Sequence, residues 1–330
     1  MPAVIKGGGK IRVGILGCSD IARRKFIPAL LKSDQASLAA LASRERDKGA
    51  SVAPGLPVVS IMTYQELLCD PTIDLVYISL PNHLHEEWSI AALEHGKHVL
   101  CEKPLGLSAA SVNRMLEAAD RHGRLLFENL MYLQHPQHKM VKSLIAAGRI
   151  GRVLSLRSEF AFPGPVEGDF KLDPAMGGGA FHDMNRYPLS AAQFFLEGKS
   201  YRFVRGNAEV KEGLTISLQA DSITGTEEVF SFLTAFGLSY RSFYEIIGER
   251  GTIRVERAYT TPADLENSIS VTVDGRDESF VAPQGDHFLL TIDHVCNLIR
   301  SGQWGAEHMR TRALAELAGM FDDNCIRRKR

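Results

Sequence analysis

The chain has 330 residues, 45% hydrophobic and 23% charged, with a formal net charge of −1. That length exceeds one ordinary core and suits two domains, and the near-neutral charge excludes a global basic field for nucleic acid or an anionic membrane. No apolar run approaches the ~20 residues that span a bilayer, and the five cysteines are dispersed without ligand-like spacing, which reads as reduced thiols in a cytoplasmic protein and argues against zinc.

The opening MPAVIKGGGK carries no signal-peptide pattern and is expected to be a loose lead-in. Lys10–Gly17 (KIRVGILG) reads as a strand ending in glycine, and Ile21–Leu31 has apolar residues at helical spacing. Strands follow at Ser37–Ala42 and Val58–Val59, a helical turn at Tyr64–Leu68, and a buried strand at Asp74–Leu80. Glu86–His95 reads as a helix and Lys97–Cys101 as a strand. Ser108 caps a helix running to His122, where Gly123 stops it, and Arg124–Leu130 is a sixth strand. Alternation at this spacing predicts an α/β Rossmann domain, a doubly wound parallel sheet, over residues 1–130.

Beyond that point the pattern changes. Val153–Phe162 and segments 201–210, 214–220, 226–237, 242–248, 252–256, 268–273 and 278–282 read as strands, the last two joined by Asp274-Gly275. Helices at Asp286–Ile299 and Thr311–Ile326 close the chain. Residues 131–330 are therefore expected to form an α+β domain with a large, mostly antiparallel sheet, the final helix being free to pack on either domain. The terminal Arg327-Arg328-Lys329-Arg330 reads as a solvated tail. Trp88 and Trp304 read as packing residues. His135, His138 and His182 lack a carboxylate-rich cluster or HxH geometry, so no metal site is expected.

The first strand runs into Gly17-Cys18-Ser19-Asp20-Ile21-Ala22, a variant of the G-x-G-x-x-G/A dinucleotide fingerprint in which Ser19 replaces the middle glycine. A helix beginning near Asp20 would face a pyrophosphate with free N–H groups and the positive end of its dipole; the competing reading is a turn serving chain reversal. At the end of strand two, where NAD-binding chains carry an acid for the ribose, stand Ser43, Arg44, Glu45 and Arg46. Arg44 can stack on adenine and pair with a 2′-phosphate, Ser43 can donate to it and Arg46 can add charge, so NADP(H) is favoured over a merely solvated helix start.

Two further segments bear chemistry. Glu102-Lys103-Pro104 follows strand five at the carboxyl edge where α/β folds build sites; Lys103 is either a surface charge or a proton donor. In Gly177–Tyr187, glycines precede Asp183 and Tyr187, which share a helix face if a helix starts near Ala180. The triple glycine lets backbone pass close to a ligand. A phenol beside an ammonium becomes a better acid, so Lys103 with Tyr187 would form a proton relay; the alternative is a core tyrosine and a helix-end aspartate. Glu128 and Asn129 end strand six and are candidates for the nicotinamide side.

GILGCSDIA (Gly14–Ala22), SLPNHLH (Ser79–His85), EKP (Glu102–Pro104) and GGGAFHDMNRY (Gly177–Tyr187) together resemble the Gfo/Idh/MocA oxidoreductases over nearly the whole chain. The resemblance implies the family fold, oligomerisation through the large sheet as a homodimer or homotetramer, a catalytic Lys103, and Leu80, Pro81, Asn82, His85, Glu102 and Asn129 along the cofactor. Many members carry histidine where this chain has Tyr187, which is similar instead to the sugar-reducing and dihydrodiol-dehydrogenase branches. GCSDIARRKFIPAL and ENLMYLQHPQH look most like NADPH-dependent nucleotide-sugar 3-ketoreductases of antibiotic deoxysugar pathways. That implies reduction at C3 of a dTDP-3,4-diketo-2,6-dideoxyhexose, with hydride from NADPH and a proton from Lys103 or Tyr187. Substrate is then expected between the domains, near Phe160, Phe162, Lys171, Asp183 and Arg186, with Lys171 or Arg186 on the diphosphate. An NADP-dependent aldose or trans-dihydrodiol dehydrogenase and a non-catalytic NADP-binding regulator are the rival readings.

Overall fold

The computed structural model describes residues 9–44 and 60–329. Glu45, Arg46 and the strand expected at Val58–Val59 lie outside them, as does the lead-in up to residue 8. Two compact units emerge: the described residues up to Met131 with Phe288–Ala313, and Tyr132–His287 with Leu314 onward.

In the first unit, continuous apolar runs make strands buried on both faces, as a helix-covered parallel sheet requires. These are β1 (Ile11–Leu16), β2 (Ala36–Ala42), β4 (Leu75–Ile78) and β5 (His98–Cys101). With the short β3 (Ser60–Met62) and β6 (Leu126–Glu128) they form one sheet of order β3-β2-β1-β4-β5-β6. All of its pairings are parallel. The order reverses between β1 and β4, which makes their carboxyl ends the topological switch point.

The expected first helix starts at Asp20, and its Ala22–Phe26 stretch is a π-helical turn that runs into α1 (Ile27–Lys32). Then come α2 (Tyr64–Cys69), closed by a Thr63–Glu66 capping box, α3 (His85–Glu94) and α4 (Ala109–His122). Ser108 caps α4 and Gly123 ends it at φ 60°, so local chemistry alone sets both limits. The sixth strand is shorter than its apolar run, because Leu130 turns back onto the Glu128 carbonyl.

Helix α8 (His287–Ser301) and the start of α9 (Gly305–Asn324) join this unit. Arg300 donates to the Gln35 carbonyl at 3.0 Å. His308 accepts the Leu126 N–H on Nε2 at 3.2 Å, which leaves Nδ1 to donate to Asp120 Oδ1 at 2.9 Å.

The second unit is built on a nine-stranded sheet of order β14-β13-β12-β11-β7-β10-β9-β8-β15. Its strands are β7 (Val153–Phe162), β8 (Tyr201–Lys211), β9 (Leu214–Thr224), β10 (Val229–Phe236) and β11 (Arg241–Gly248). They continue with β12 (Gly251–Glu256), β13 (Ser268–Val273), β14 (Arg276–Val281) and β15 (Ile326–Lys329). The sheet is antiparallel except where β10 meets β7 and β15 meets β8. Asp274 and Gly275 turn β13 into β14 with φ of 48° and 77°, the two positive values a type I′ hairpin needs.

Three helices were shorter or absent in the sequence reading: α5 (Pro136–Ala146), α6 (Ala180–Met184) and α7 (Arg186–Phe195). Helix α6 packs on β9 and β10, and α7 on β7 and β10. Late in α9, Phe321 sits edge-on to Phe203, Phe230 and Phe232, each buried ring contributing roughly 1.5–3 kcal/mol.

The basic tail requires a correction. Arg327, Arg328 and Lys329 do not trail into solvent; they pair in parallel with Ala208, Glu209 and Val210. All four β15 residues are exposed, and charged side chains suit a terminal edge strand because they discourage further pairing.

Burial holds the imidazoles of His98 and His138 down to about 3. His98 accepts the Leu125 N–H at 3.0 Å, and His138 Nδ1 lies 2.9 Å from the Tyr244 hydroxyl. An unfolded histidine takes its proton near pH 6.5, whereas these stay neutral in the fold to about pH 3. Their stabilisation is therefore complete above pH 6.5 and is lost as pH falls from there towards 3. His98→Asn keeps the acceptor for Leu125 and should lower the pH slope of unfolding free energy in that window by about 1.4 kcal/mol per pH unit, read from urea titrations.

Candidate active site

The carboxyl ends of five adjacent strands bring the sequence's cofactor candidates into one row. After β1, Gly17 adopts φ 105°. Its N–H donates to Ala42 at the end of β2 (3.0 Å), and its carbonyl accepts from Ser79 Oγ after β4 (3.1 Å). A Cβ added at Gly17 would lie 2.8 Å from Leu80 Cδ2 and 3.1 Å from the Ser79 carbonyl, so only glycine fits. Ser19 Oγ accepts the Ala22 N–H at 3.2 Å, and its carbonyl accepts from Arg23 at 3.0 Å. Accepting in this way keeps the hydroxyl hydrogen for an incoming phosphate. Cys18 and Ser19 are half-buried, and Asp20 and Ile21 are exposed at the mouth of the turn.

At the end of β2, Ser43 is buried and Arg44 exposed. Tyr64, which the sequence offered only as the start of a helical turn, meets Trp88 edge-on at 4.9 Å. Burial lifts its phenol against the pull of the nearby Arg44 cation. After β4, Leu80 and Asn82 are buried and Pro81 half-buried, and Asn82 opens a 3-10 turn into α3.

The Glu102-Lys103-Pro104 turn is held on several sides. Glu102 N–H donates to Ile78 at 3.0 Å. Its carboxylate accepts from the Tyr77 hydroxyl and from Asn129 Nδ2, each at 2.6 Å. Tyr77 is fully buried and stacks on Phe26 of the π-helical turn, with centroids 3.6 Å apart and planes 7° apart. Burial lifts the Glu102 carboxyl above the usual carboxylate range, against these two donors and the Lys103 charge. The Tyr77 phenol is pushed well up by burial and then by the Glu102 charge. Beyond the cis Lys103–Pro104 peptide, Leu105 N–H donates to Glu128 Oε1 at 2.9 Å.

His85 has no exposed surface, and its two ring nitrogens each lie 2.8 Å from a carbonyl oxygen, Pro104 and Leu80.

A dinucleotide fits this row on two observations. The Gly17 cradle is closed to any side chain, as close backbone approach to a pyrophosphate requires. Asn129 Oδ1 is buried with no hydrogen-bond partner among the described residues, while Nδ2 of the same amide is engaged. An acceptor so placed suits an amide donor such as the nicotinamide carboxamide.

The second unit carries the other candidates. Asn185 keeps helical angles (φ −58°, ψ −31°) between α6 and α7, so Asp183 and Tyr187 lie one turn apart on a nearly continuous helix. Both are buried. The Tyr187 ring meets Phe160 edge-on at 4.7 Å and tilts against Tyr259 (5.4 Å) and Tyr132 (5.7 Å). Its carbonyl accepts from the Tyr132 hydroxyl at 3.0 Å.

Phe162 is 6.5 Å from Phe160 on the same strand face. Arg186 is buried, so it is not a surface charge. Lys171 is half-buried, its Nζ 3.9 Å from Asp169 Oδ2. In the glycine run, the close backbone approach is to protein: a Cβ on Gly178 would sit 2.5 Å from the Lys171 carbonyl. Gly178 and Gly179 instead donate to the Asp173 and Lys171 carbonyls.

Residues 11–130 match the GFO/IDH/MocA model described as an oxidoreductase family with an NAD-binding Rossmann fold, and residues 138–254 match the GFO/IDH/MocA C-terminal domain. A dTDP-3,4-didehydro-2,6-dideoxy-alpha-D-glucose 3-reductase of Actinomadura kijaniata is 32% identical over 93% of this chain and 94% of its own. A D-xylose 1-dehydrogenase (NADP(+)) of Haloferax volcanii is 30% identical over 88% of this chain and 89% of its own. Among solved structures, the 3-ketoreductase KijD10 of Actinomadura kijaniata, in complex with NADP and TDP-benzene, superposes with a TM-score of 0.94. It is 30% identical and the match covers 98% of this chain and all 100% of that one.

Tyr77→Phe removes one donor to the half-buried Glu102 carboxylate while conserving the stacked ring. It should cost about 1–3 kcal/mol of stability and shift the Glu102 carboxyl further upward. Denaturant titration measures the first and carboxyl-resolved NMR the second.

Proposed function

Because the chain belongs to the Gfo/Idh/MocA oxidoreductase family, we propose that it is an NADPH-dependent ketoreductase acting at C3 of a dTDP-linked 3,4-diketo-2,6-dideoxy sugar. The observation that carries the reading is the pairing, on one row of strand ends, of Arg44 after β2 with Glu102-Lys103 after β5. The first answers a 2′-phosphate, and the second sets an ammonium beside the cofactor's reactive end.

The cofactor, when bound, supplies the hydride. This chain's residues bind, orient and move a proton. The Gly17–Ala22 turn takes the pyrophosphate at a helix start. Arg44 and Ser43 pair with the 2′-phosphate and Arg44 stacks on adenine. Pro81, Asn82 and Asn129 line the nicotinamide side. Lys103 polarises the carbonyl oxygen and, with Tyr187, delivers the proton to the developing alkoxide. Asp183, one helical turn before Tyr187, orients that phenol. Phe160 and Phe162 provide an apolar wall, and Arg186 and Lys171 bind the diphosphate. A cytoplasmic setting fits the five dispersed cysteines. A homodimer or homotetramer is supported by the exposed apolar Leu154, Val204, Val229 and Ile326 on strands of the large sheet.

Three outcomes test this reading. With a dTDP-3,4-diketo sugar generated in situ, NADPH should be consumed and the C3 alcohol formed; turnover on free xylose or a cyclic diol with NADP+ instead would move the assignment to a dehydrogenase. Lys103→Ala should lower kcat by about 10²–10⁴-fold with NADPH affinity little changed. Arg44→Ala should weaken NADPH binding by about 10–100-fold while leaving NADH binding nearly unaltered, as fluorescence titration would show.

A further inference from the structure

The mechanism above gives no task to His85, yet no other imidazole in the first unit is so placed. It is the first residue of α3, has no exposed surface, and spans two turns of the strand-end row. Nδ1 lies 2.8 Å from the carbonyl of Pro104, the residue after Lys103, and Nε2 lies 2.8 Å from the carbonyl of Leu80, the residue before Pro81. Both partners are acceptors. A neutral ring can donate to one of them and an imidazolium to both. Burial pushes the ring towards neutrality, the two carbonyls pull the other way, and the Lys103 and His83 charges side with burial. Whichever state prevails, a donor is directed at one or both turns.

The surroundings show what that donor fixes. The Pro104–Leu105 peptide has its carbonyl on His85 and its N–H on Glu128 at 2.9 Å. On the other side of Lys103, the Glu102 N–H is on Ile78 at 3.0 Å and its carboxylate on Tyr77 and Asn129. The Lys103 backbone is thus flanked by peptides fixed on both sides, and the His85 ring sets the separation between the Lys103 turn and the Pro81–Asn82 turn.

We propose that His85 is a positioning residue: a buried imidazole staple between the Leu80 and Pro104 carbonyls that fixes where the Lys103 ammonium stands relative to the Pro81–Asn82 wall. The proposal rests on the ketoreductase reading only for the consequence in turnover; the staple itself is a property of the first unit alone. A side chain that merely filled space would be replaceable by leucine. A staple requires an N–H donor.

His85→Leu and His85→Gln separate these roles. The first fills the cavity without a donor, and the second retains one. With NADPH affinity within about twofold of wild type, kcat should fall about 100-fold in His85→Leu and be partly restored in His85→Gln, because displacement of a catalytic group by an ångström costs about that much.

A second readout needs no substrate. In cofactor-free protein with 13C-methylated lysines, the Lys103 resonance, assigned through Lys103→Arg, should shift and broaden in His85→Leu and stay near its wild-type position in His85→Gln. Wild-type kcat and an unmoved Lys103 resonance in His85→Leu would overturn the proposal. If that variant does not fold, the 15N spectrum of wild-type His85 decides: a ring N–H protected from exchange supports the staple, and ring protons exchanging as in a solvent histidine refute it. Absence of keto-sugar turnover in wild type would fault the functional reading and leave the lysine and nitrogen readouts intact.

Discussion

A carboxylate held between a phenol and an amide governs the geometry of the strand-end row. Glu102 accepts from Tyr77 of β4 and from Asn129 just past β6, each at 2.6 Å, so one side chain ties three neighbouring strand ends at the carboxyl edge of the sheet. Burying such a group is expensive unless its lone pairs are met, and the raised carboxyl shows that some of the cost persists. Phe26 stacks on Tyr77 from the π-helical turn that follows the glycine cradle. The Gly17 end and the Lys103 end of the row are therefore coupled through two stacked rings.

The second unit applies the opposite solution to its candidate acid. Tyr187 stands among the rings of Phe160, Tyr132 and Tyr259. Its helix is anchored below by the hydroxyl of Tyr132 on the Tyr187 carbonyl. Rings confine the phenol's direction at small cost in conformational entropy. The preceding glycines serve this end too, since Gly178 and Gly179 fold tightly onto the turn at Lys171–Asp173 and fix where the helix begins.

Much of this was legible in the sequence because it is written in local chemistry. Ser108 and Gly123 bound a helix by their capping behaviour. Apolar runs such as LVYI and HVLC report burial on both faces, and the strand-turn-helix at Gly17 announces a nucleotide fold. What escaped depends on partners distant in sequence. Tyr77 looks like one more apolar residue of its strand; the only signal was that a buried hydroxyl requires an acceptor, which lies 25 positions away. The motif around His85 does not show that its ring meets the Leu80 and Pro104 carbonyls, the second of them 19 positions away. The basic C-terminus read as a tail because β15 has no apolar alternation, and the hydrogen bonds that order it come from β8.

The central claim is that the strand-end row receives the dinucleotide and holds Lys103 at its reactive end. The most direct measurement is a crystal structure of the chain with NADP+ bound. The account predicts the pyrophosphate against Gly17–Ala22, the 2′-phosphate on Arg44, and Lys103 Nζ within about 4 Å of the hydride-carrying carbon or of the carbonyl beside it. A dinucleotide lying elsewhere, or one lying in the row with the Lys103 ammonium turned into solvent, would contradict it.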